Sequence, residues 1–279
     1  QAGKPFDVLS LKAMHSWAEL RMKIKGYDVL AMNVRSWRYI YAKRAADIFK
    51  LVNPNGEVWV GGMHATVAPQ EMLAVPEFDY IVSGEGEGTW EDLLDGKLPA
   101  MRLSRGSRGR YENLDDLPFI DRSLWQRTPG NQWPLEGSGG WGPGPRAVTM
   151  LSSTACPFHC SFCAPAERNH FGNRRRRSVS HVLADLAHIR QRWGDFTSIV
   201  FHDSEFLLEP AWLQEFLTRY SAKVGLPFWA SCRADIMSKW PELTEALIRQ
   251  ANWHTISIGL ESGSQKVLDI MNKQTTVEQ

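Results

Sequence analysis

Three cysteines lie within one short stretch of this chain, Cys156-Pro157-Phe158-His159-Cys160-Ser161-Phe162-Cys163. Their spacing is C-x3-C-x2-C, and the fourth cysteine of the chain, Cys232, lies far away in the sequence. Three closely spaced thiolates can bind one iron–sulfur cluster. Because a cubane [4Fe–4S] cluster has four irons, three protein ligands would leave one iron open to bind a small molecule.

A disulfide and a zinc site are the alternative interpretations of these cysteines. No secretory signal is visible, which argues against a disulfide and predicts a location in the reducing cytoplasm. A structural zinc site needs a fourth Cys or His at a suitable spacing, and His159 is less well placed to reach a metal than its neighbours. The sequence therefore favours the cluster.

Length, charge and hydropathy set the broad class of the protein. A chain of 279 residues predicts about two domains, and a hydrophobic content of 43% is ordinary for a globular protein. The net charge of +1 gives no reason to expect a nucleic-acid partner. No run of about 18 apolar residues is present, so no membrane-spanning helix and no membrane partner are expected.

The first 98 residues alternate between strand-like and helical patterns, which marks them as a first domain. Apolar runs predict strands at 6–10, 27–33, 57–61 and 79–83. Strand–helix alternation of this kind predicts an α/β, doubly wound, Rossmann-like (flavodoxin-like) sheet. Ligands of such sheets lie above the carboxyl ends of the strands.

Two of these strands end in glycine-rich turns, Gly61-Gly62-Met63-His64-Ala65-Thr66 and Ser83-Gly84-Glu85-Gly86-Glu87. Glycine at a strand end lets a ligand approach the backbone closely. Neither turn has the G-x-G-x-x-G spacing of a dinucleotide site. The alternative is a flavodoxin-like domain in which these glycines serve only to turn the chain.

Strand–helix repeats also fill residues 146–279, the predicted second domain. Strands are expected at 146–152, 198–202, 228–233 and 255–259, which predicts a partial (β/α) TIM-type barrel with its active site at the carboxyl ends of the strands. Between the two domains, residues 99–145 are rich in Gly and Pro towards their end and are predicted to be an irregular linker. The basic run Arg174–Arg177 is interpreted as a solvated helix start.

The cysteine stretch resembles the signature of radical S-adenosylmethionine (SAM) enzymes, C-x3-C-x-aromatic-C, with Phe162 as the aromatic residue. The two glycine turns, in this order, resemble the cobalamin-binding domain of the cobalamin-dependent members of that family. The resemblance implies a [4Fe–4S] cluster on Cys156, Cys160 and Cys163. It also implies that the open iron binds SAM, whose reductive cleavage yields a 5′-deoxyadenosyl radical.

The resemblance further implies two sets of binding residues at strand ends. For SAM these are Phe162, Asp203, Ser204, Glu205, Ser231, Arg233, Glu261 and Ser262. For cobalamin they are Asn33, Arg35, Ser36, Trp37, Gly61, Gly62, His64, Ala65, Thr66, Gly84, Glu85, Gly86 and Glu87. The alternative for each polar residue is a satisfied structural group, and strand alternation predicts that Cys232 packs in the core.

The motifs do not indicate which residue, if any, would bind the cobalt of cobalamin from its lower face. The Asp-x-His-x-x-Gly motif that supplies a lower histidine in many cobalamin domains is absent from this chain. His64 could bind cobalt, but its place in the motif favours contact with the corrin or its tail, or a role only as a residue of the turn. Residues 33–39 offer no Cys, His or Met, so we expect them to block lower coordination. The alternative is that Trp37 packs on the following helix and Arg35 is solvated.

The function that this resemblance implies is methylation of an unactivated carbon of a small molecule. A ring-forming oxidative cyclase of the same family, and a non-catalytic cobalamin- or cluster-binding sensor, are the alternatives. An external electron donor of the flavodoxin or ferredoxin type is the expected protein partner. Both domains are expected to be cut short, which would make the chain a fragment of a longer protein.

Overall fold

The computed structural model describes residues 6–9, 16–97, 101–105, 111–123, 142, 144–163 and 173–279. The described residues form two compact units, the first extending to residue 112 and the second beginning at residue 113. Each unit is built on a four-stranded parallel sheet, as the strand–helix alternation predicts.

The sheet of the first unit has its strands in sequential order, β1-β2-β3-β4, all parallel. Its strands are β1 (Val29–Asn33), β2 (Glu57–Gly61), β3 (Tyr80–Ser83) and β4 (Leu103–Arg105). Its helices are α1 (Trp17–Lys23), α2 (Tyr39–Val52), α3 (Met63–Val67), α4 (Pro69–Leu73) and α5 (Glu87–Leu94), with a 3-10 turn at Ser36–Arg38.

Both faces of strand β2 are buried, which explains its nearly continuous apolar sequence. Val58 and Val60 join the core on the α2 side, where Phe49 is fully buried. Trp59 points to the opposite face and packs with its ring centroid 5.9 Å from that of Trp90. This strand therefore anchors the unit and fixes the position of the glycine turn that follows it.

The strand boundaries in the first unit differ from prediction mainly at its margins. The predicted strand 6–10 is wrong for its described part, because residues 6–9 have no regular secondary structure and Phe6 is 49% exposed. Strand β4 lies inside the stretch predicted as a linker and pairs with β3, so the sheet extends past residue 98. Three residues with little apolar character give too short a pattern to indicate a strand.

The sheet of the second unit has the order β10-β9-β8-β5, again all parallel. Its strands are β5 (Ala147–Met150), β8 (Ser198–Phe201), β9 (Phe228–Cys232) and β10 (Trp253–Ile258), and β6 (Ser153–Thr154) and β7 (Arg175–Arg176) form a separate antiparallel ribbon. Its helices are α6 (Val179–Trp193), α7 (Pro210–Lys223), α8 (Ala234–Lys239), α9 (Pro241–Gln250) and α10 (Gln265–Ile270), with a 3-10 turn at Leu114–Asp116. Four consecutive parallel strands alternating with helices are part of a (β/α) barrel.

Aromatic side chains fill the core of the second unit. Phe216 of α7 meets Phe228 of β9 edge to face with a ring-centroid distance of 5.8 Å, and Phe228 stacks on Trp253 of β10 at 5.9 Å. Cys232 is buried in the same core, as strand alternation predicts. Among the described helices, none has both the length and the apolar character needed to span a bilayer.

Candidate functional site

The cysteine loop, residues 155–163, leaves the barrel sheet just after β5 and is closed at its base by the β6–β7 ribbon. In this ribbon Ser153 lies opposite Arg176 and Thr154 lies opposite Arg175. The ribbon ties the chain entering the loop to the chain returning from it. The loop is thereby fixed at the carboxyl end of the first barrel strand, where barrel enzymes place their chemistry.

The three cysteines of the loop are available for ligation. None of them forms a disulfide, and Cys156, Cys160 and Cys163 are all partly exposed, whereas Cys232 is buried. Burial raises the pKa of the Cys156 thiol, and a hydrogen bond from the Phe158 backbone opposes that rise. A metal-bound cysteine is a thiolate, so cluster binding would release this proton.

Arg233, directly after β9, reaches over to the cysteine loop. Its Nη1 lies 3.6 Å from Cys160 Sγ, and its guanidinium carbon lies 3.7 Å from the centroid of the Phe158 ring. Asp235 holds the other side of the guanidinium, with Nε and Oδ1 2.9 Å apart. The structure therefore directs this side chain at a thiol. Its predicted contact with SAM stays a prediction, as does that of Ser231, which lies one strand position before Cys232.

A segment near the end of the described chain, residues 271–274, forms the opposite wall of the loop. The Ser161 backbone N–H donates to the Met271 carbonyl at 2.9 Å, and Asn272 Nδ2 donates to the His159 carbonyl at 2.8 Å. Arg233 Nη2 donates to the Lys273 carbonyl at 2.5 Å. Sequence reasoning missed this segment because it carries no motif, and its partners in the cysteine loop are more than 100 residues away in the chain.

Asp203, at the end of β8, lies beneath the loop and is buried. Its Oδ1 accepts a hydrogen bond from Ser152 Oγ at 2.8 Å and a short one from Ser153 Oγ, and its Oδ2 accepts from the Ser152 backbone N–H at 3.1 Å. The two hydroxyls in turn accept from Arg176 Nη2 and Arg174 Nη1 at 3.2 and 2.8 Å. Asp203 thus fixes the approach to the cysteine loop, and its direct contact with SAM remains a prediction.

Glu205 is fully buried and turned towards backbone donors. Its carboxylate accepts from the Leu207 N–H at 2.8 Å and from the Arg233 N–H at 2.6 Å. Burial raises the pKa of this carboxyl to about 7, against the lowering effect of those two hydrogen bonds. Its contacts position Arg233, whereas Ser204 is exposed beside it. Contact of either residue with SAM stays a prediction.

The interpretation of Arg174–Arg177 as a solvated helix start is wrong. The side chain of Arg174 is only 8% exposed and pairs with Glu209 at 3.0 Å. The Arg176 guanidinium lies 3.7 Å from the Trp212 ring centroid, and burial lowers its pKa to about 10. These arginines pack under the cysteine loop because β7 is part of the ribbon, a pairing that a basic run does not reveal.

Glu261 and Ser262 follow β10. Glu261 is exposed and adopts a left-handed backbone conformation with φ of 65°, and its contact with SAM stays a prediction, as does that of Ser262. Its partner is the buried Lys273, whose Nζ lies 3.3 Å from Glu261 Oε1 and 5.9 Å from the centroid of the Phe162 ring. Lys273 belongs to the segment 271–274, which the sequence did not single out.

In the first unit the glycine turn after β2 is bound to the end of β1. Gly62 has φ of 95°, and a Cβ at this position would lie 2.5 Å from Asn33 Oδ1. The Val34 N–H donates to the Gly61 carbonyl at 2.8 Å, and the His64 N–H donates to the Val34 carbonyl at 3.0 Å. Only glycine fits this close approach without a shift.

The turn after β3 is bound to the same place. Thr66 Oγ1 donates to the Gly62 carbonyl and accepts from the Gly84 N–H, both at 2.9 Å. Gly84 has φ of 84°, and a Cβ on Gly86 would lie 2.7 Å from the Trp90 ring. The two glycine turns, with Glu85 and Glu87 in the second of them, therefore converge at the carboxyl edge of the sheet.

His64 is buried between side chains of its own unit. Its Nδ1 lies 3.1 Å from Ser36 Oγ, its Nε2 lies 3.4 Å from Glu71 Oε2, and its ring centroid lies 4.5 Å from that of Tyr39. The neighbouring Ala65 is also buried. These contacts favour a positioning role for His64 in the turn over one as a cobalt ligand.

Trp37 and Arg35 stand out from the end of β1. Trp37 is 68% exposed, so the alternative in which it packs on the following helix is wrong. The Arg35 guanidinium lies 5.4 Å from the centroid of the Trp37 ring. Their predicted role in blocking the lower face of cobalt stays a prediction.

The donor set of the loop fits an iron–sulfur cluster better than a single metal ion. In the described parts of the chain, no group of three or more His, Cys, Asp or Glu side chains converges on one ion position. A cubane takes one thiolate at each of three separate irons, so its ligands need not meet at a point. The N–H group that Arg233 directs at Cys160 Sγ suits a thiolate sulfur.

Two family models match the chain, one in each unit. The model of the B12 binding domain matches residues 6–94, and that of the radical SAM superfamily matches residues 150–279. The chain belongs to the cobalamin-dependent radical SAM enzymes. The cofactors of this family are a [4Fe–4S] cluster, SAM and cobalamin, as the cysteine stretch and the glycine turns imply.

The relatives of this chain include proteins named methyltransferases and proteins named cyclases. An uncharacterized methyltransferase of Pyrococcus horikoshii is 26% identical over 90% of this chain and 55% of its own length. The cytidylyl-2-hydroxyethylphosphonate methyltransferase of Streptomyces wedmorensis is 25% identical over 82% of this chain and 49% of its own length. The anaerobic magnesium-protoporphyrin IX monomethyl ester cyclase of Rubrivivax gelatinosus is 25% identical over the whole chain and 53% of its own length. The chain spans about half the length of these relatives.

Two solved structures share the fold. The cobalamin-dependent SAM radical enzyme OxsB superimposes with a TM-score of 0.70 at 17% identity, covering 94% of this chain and 39% of that protein. The radical SAM methyltransferase TsrM of Kitasatospora setae, solved with cobalamin and a [4Fe–4S] cluster, gives 0.62 at 16% identity over 94% and 54%. At such identities these matches establish the fold.

Proposed function

We propose that this chain is the cofactor-binding part of an enzyme that methylates an unactivated carbon of a small molecule. One observation carries the proposal: a three-cysteine loop lies at the carboxyl end of a barrel strand in a chain that also has a B12 binding domain. Methyl transfer is favoured over other radical chemistry because relatives that align with most of this chain are named methyltransferases.

Within this function, Cys156, Cys160 and Cys163 hold the cluster. A bound cluster would supply the electron for reductive cleavage of SAM, and bound cobalamin would carry the methyl group. The chain contributes the positions of these groups. Arg233 and residues 271–274 hold the loop from one side, and the Asp203 network holds it from the other.

The residues proposed for the other two cofactors lie at the strand ends of the two sheets. Toward SAM we propose the exposed or partly exposed Phe162, Ser204, Ser231, Glu261 and Ser262 as direct contacts, with the buried Asp203, Glu205 and Arg233 behind them. Toward cobalamin we propose the backbone of the two glycine turns together with Asn33, Arg35, Ser36 and Trp37. Exposed side chains and glycine backbone are what a large ligand can reach.

Two partners follow from this chemistry. The substrate is a small molecule, and an external donor of the flavodoxin or ferredoxin type supplies the electron. An oxygen-sensitive cluster also favours the reducing cytoplasm. Ring-forming oxidation is the second candidate function, supported by the cyclase relative that aligns with the whole of this chain.

Anaerobic turnover tests the proposal. The protein is reconstituted with iron, sulfide and cobalamin, and is then incubated with reductant and SAM carrying a labelled methyl group. We expect 5′-deoxyadenosine, together with label on cobalamin. A protein that holds its cluster but forms no 5′-deoxyadenosine would support the sensor instead, and 5′-deoxyadenosine without methyl-group uptake by cobalamin would favour the cyclase.

A further inference from the structure

The charged group of Arg233 lies within hydrogen-bond distance of a cysteine of the loop. Its Nη1 is 3.6 Å from Cys160 Sγ, which is within range for an N–H donor and a sulfur acceptor. A guanidinium group has five N–H donors and no acceptor, so it brings a donor and a positive charge to this sulfur.

The guanidinium is fixed in this position on several sides. Its plane covers the Phe158 ring at 3.7 Å, Asp235 accepts from Nε and Nη2 at 2.9 and 3.2 Å, and the Lys273 carbonyl accepts from Nη2 at 2.5 Å. The side chain is only 7% exposed, which leaves little water to screen its charge. Such a clamped, desolvated group is suited to tuning a neighbouring metal centre.

We propose that Arg233 sets the reduction potential of the cluster through its N–H···S contact with Cys160. This inference rests on the proposed function, because it assumes that the cluster binds to the loop. Reduction adds one electron, supplied by an external donor, to the cluster and changes no covalent bond of the protein. A positive charge and a hydrogen bond at a ligand sulfur stabilise the more negative, reduced state and raise the potential.

Asp235 provides the opposing charge. Its carboxylate lies against the far side of the same guanidinium and partly cancels the positive charge felt at the sulfur. Arg233 and Asp235 therefore act on the potential with opposite signs. A merely structural role would not produce this pair of signs, because loss of either partner would loosen the same loop.

The test is a redox titration, followed by electron paramagnetic resonance (EPR), of anaerobically reconstituted protein without substrate. Arg233→Gln removes the charge, and we expect about a tenfold fall in the equilibrium constant for reduction, which is about 59 mV more negative for a one-electron couple. Asp235→Asn should shift the midpoint in the positive direction. Arg233→Lys keeps the charge but loses the forked guanidinium and its stacking on the Phe158 ring. Its midpoint potential should lie between those of Arg233→Gln and the wild type.

Arg249→Gln serves as the matched control, because Arg249 is 75% exposed and pairs only with Glu245 among the described residues. Its midpoint should equal that of the wild type. Iron and sulfide are quantified in every variant, and only cluster-loaded protein is titrated. If Arg233→Gln fails to load, Arg233→Lys and Asp235→Asn still test the sign.

Two results would overturn the inference. The first is a set of cluster-loaded variants that all titrate at the wild-type midpoint. The second is a shift of Arg233→Gln and Asp235→Asn in the same direction. A wild-type protein that binds no cluster would contradict the proposed function itself, so the two failures are distinguishable.

Discussion

The cysteine loop of the second unit and the glycine turns of the first are held in place by different means. Side chains distant in the sequence hold the cysteine loop and its base, among them Arg233, Asn272 and Asp203. The glycine turns are held chiefly by backbone groups, such as the Gly61 carbonyl and the Gly84 N–H. The first site depends on charge and hydrogen-bonding chemistry, and the second on close backbone approach.

This difference predicts which kind of substitution will damage each site. A change that removes a thiol or a charge should affect the cysteine loop and leave the glycine turns intact. A change that only adds volume should affect the glycine turns and leave the cysteine loop intact. Single substitutions of each kind should therefore separate the two sites.

Removal of one thiol should give the largest effect. In Cys160→Ala the cluster loses one of three protein ligands, so we expect complete loss of its visible absorption and of its reduced EPR signal after anaerobic reconstitution. Cobalamin retention should stay unchanged. Cys232→Ala is the control, because Cys232 is buried in the core and away from the loop, and it should keep its cluster. An intact cluster in Cys160→Ala would remove the loop as the cluster site.

A larger side chain in the glycine turn after β2 should damage the site of the first unit. Gly62→Val places a branched side chain at φ of 95° and 2.5 Å from Asn33 Oδ1, which forces the turn to move. We expect cobalamin affinity to fall by at least about tenfold, equivalent to about 1.4 kcal/mol, with cluster content unchanged. Equilibrium dialysis with cobalamin measures this.

The control for that variant is Gly26→Val. Gly26 also has a left-handed conformation, with φ of 85°, but a Cβ there meets no atom within 4 Å. Its backbone strain is therefore similar, whereas the crowding at the turn is absent. Equal cobalamin affinity in the two variants would show that the turn after β2 is not a binding loop.

The sequence was sufficient to predict the strands that carry the two sites. It was not sufficient to predict the residues that hold the cysteine loop in place. Strand β2 has the predicted bounds because its apolar run is buried on both faces. The spacing of the cysteines also indicated their chemistry. Lys273 and the ribbon residue Arg176 were not found, because their roles depend on partners distant in sequence that no local pattern reveals.

Loss of charge beneath the cysteine loop should lower stability. Asp203→Asn replaces a carboxylate that accepts hydrogen bonds from Ser152 and Ser153 with an amide that must present a donor to one of them. We expect the free energy of local unfolding at β5 and β8 to fall by about 4 kcal/mol. Hydrogen exchange of the amides in these strands, read by mass spectrometry, measures this change.

Asp195→Asn is the matched control for this measurement. The side chain of Asp195 is 88% exposed, so its loss should change the free energy of unfolding by less than about 0.5 kcal/mol. If the two variants had equal stability, Asp203 would not be a support of the loop.

Glu205 should give the stability of the protein a pH dependence. Burial raises the pKa of this carboxyl from its ordinary value of 4.5 to about 7. The folded protein therefore binds more protons than the unfolded chain between these values, and stability falls as pH rises through that window. Relative to Glu205→Gln, the wild type should lose up to about 3 kcal/mol from pH 4.5 to 7 and change little above it.

Urea denaturation of the cluster-free protein at several pH values measures this difference. Subtraction of the variant from the wild type removes the contribution of other titrating groups. A difference that stays flat, or that rises with pH, would mean that the pKa of Glu205 is not raised in the folded protein.

The EPR spectrum of the reduced cluster, recorded with and without SAM, tests the central claim most directly. Three cysteines of one loop leave one iron of a [4Fe–4S] cluster without a protein ligand, so SAM should bind there and change the spectrum. We predict a [4Fe–4S] signal in the wild type that shifts when SAM is added. A protein with no such signal, or a signal that SAM leaves unchanged, would contradict the account.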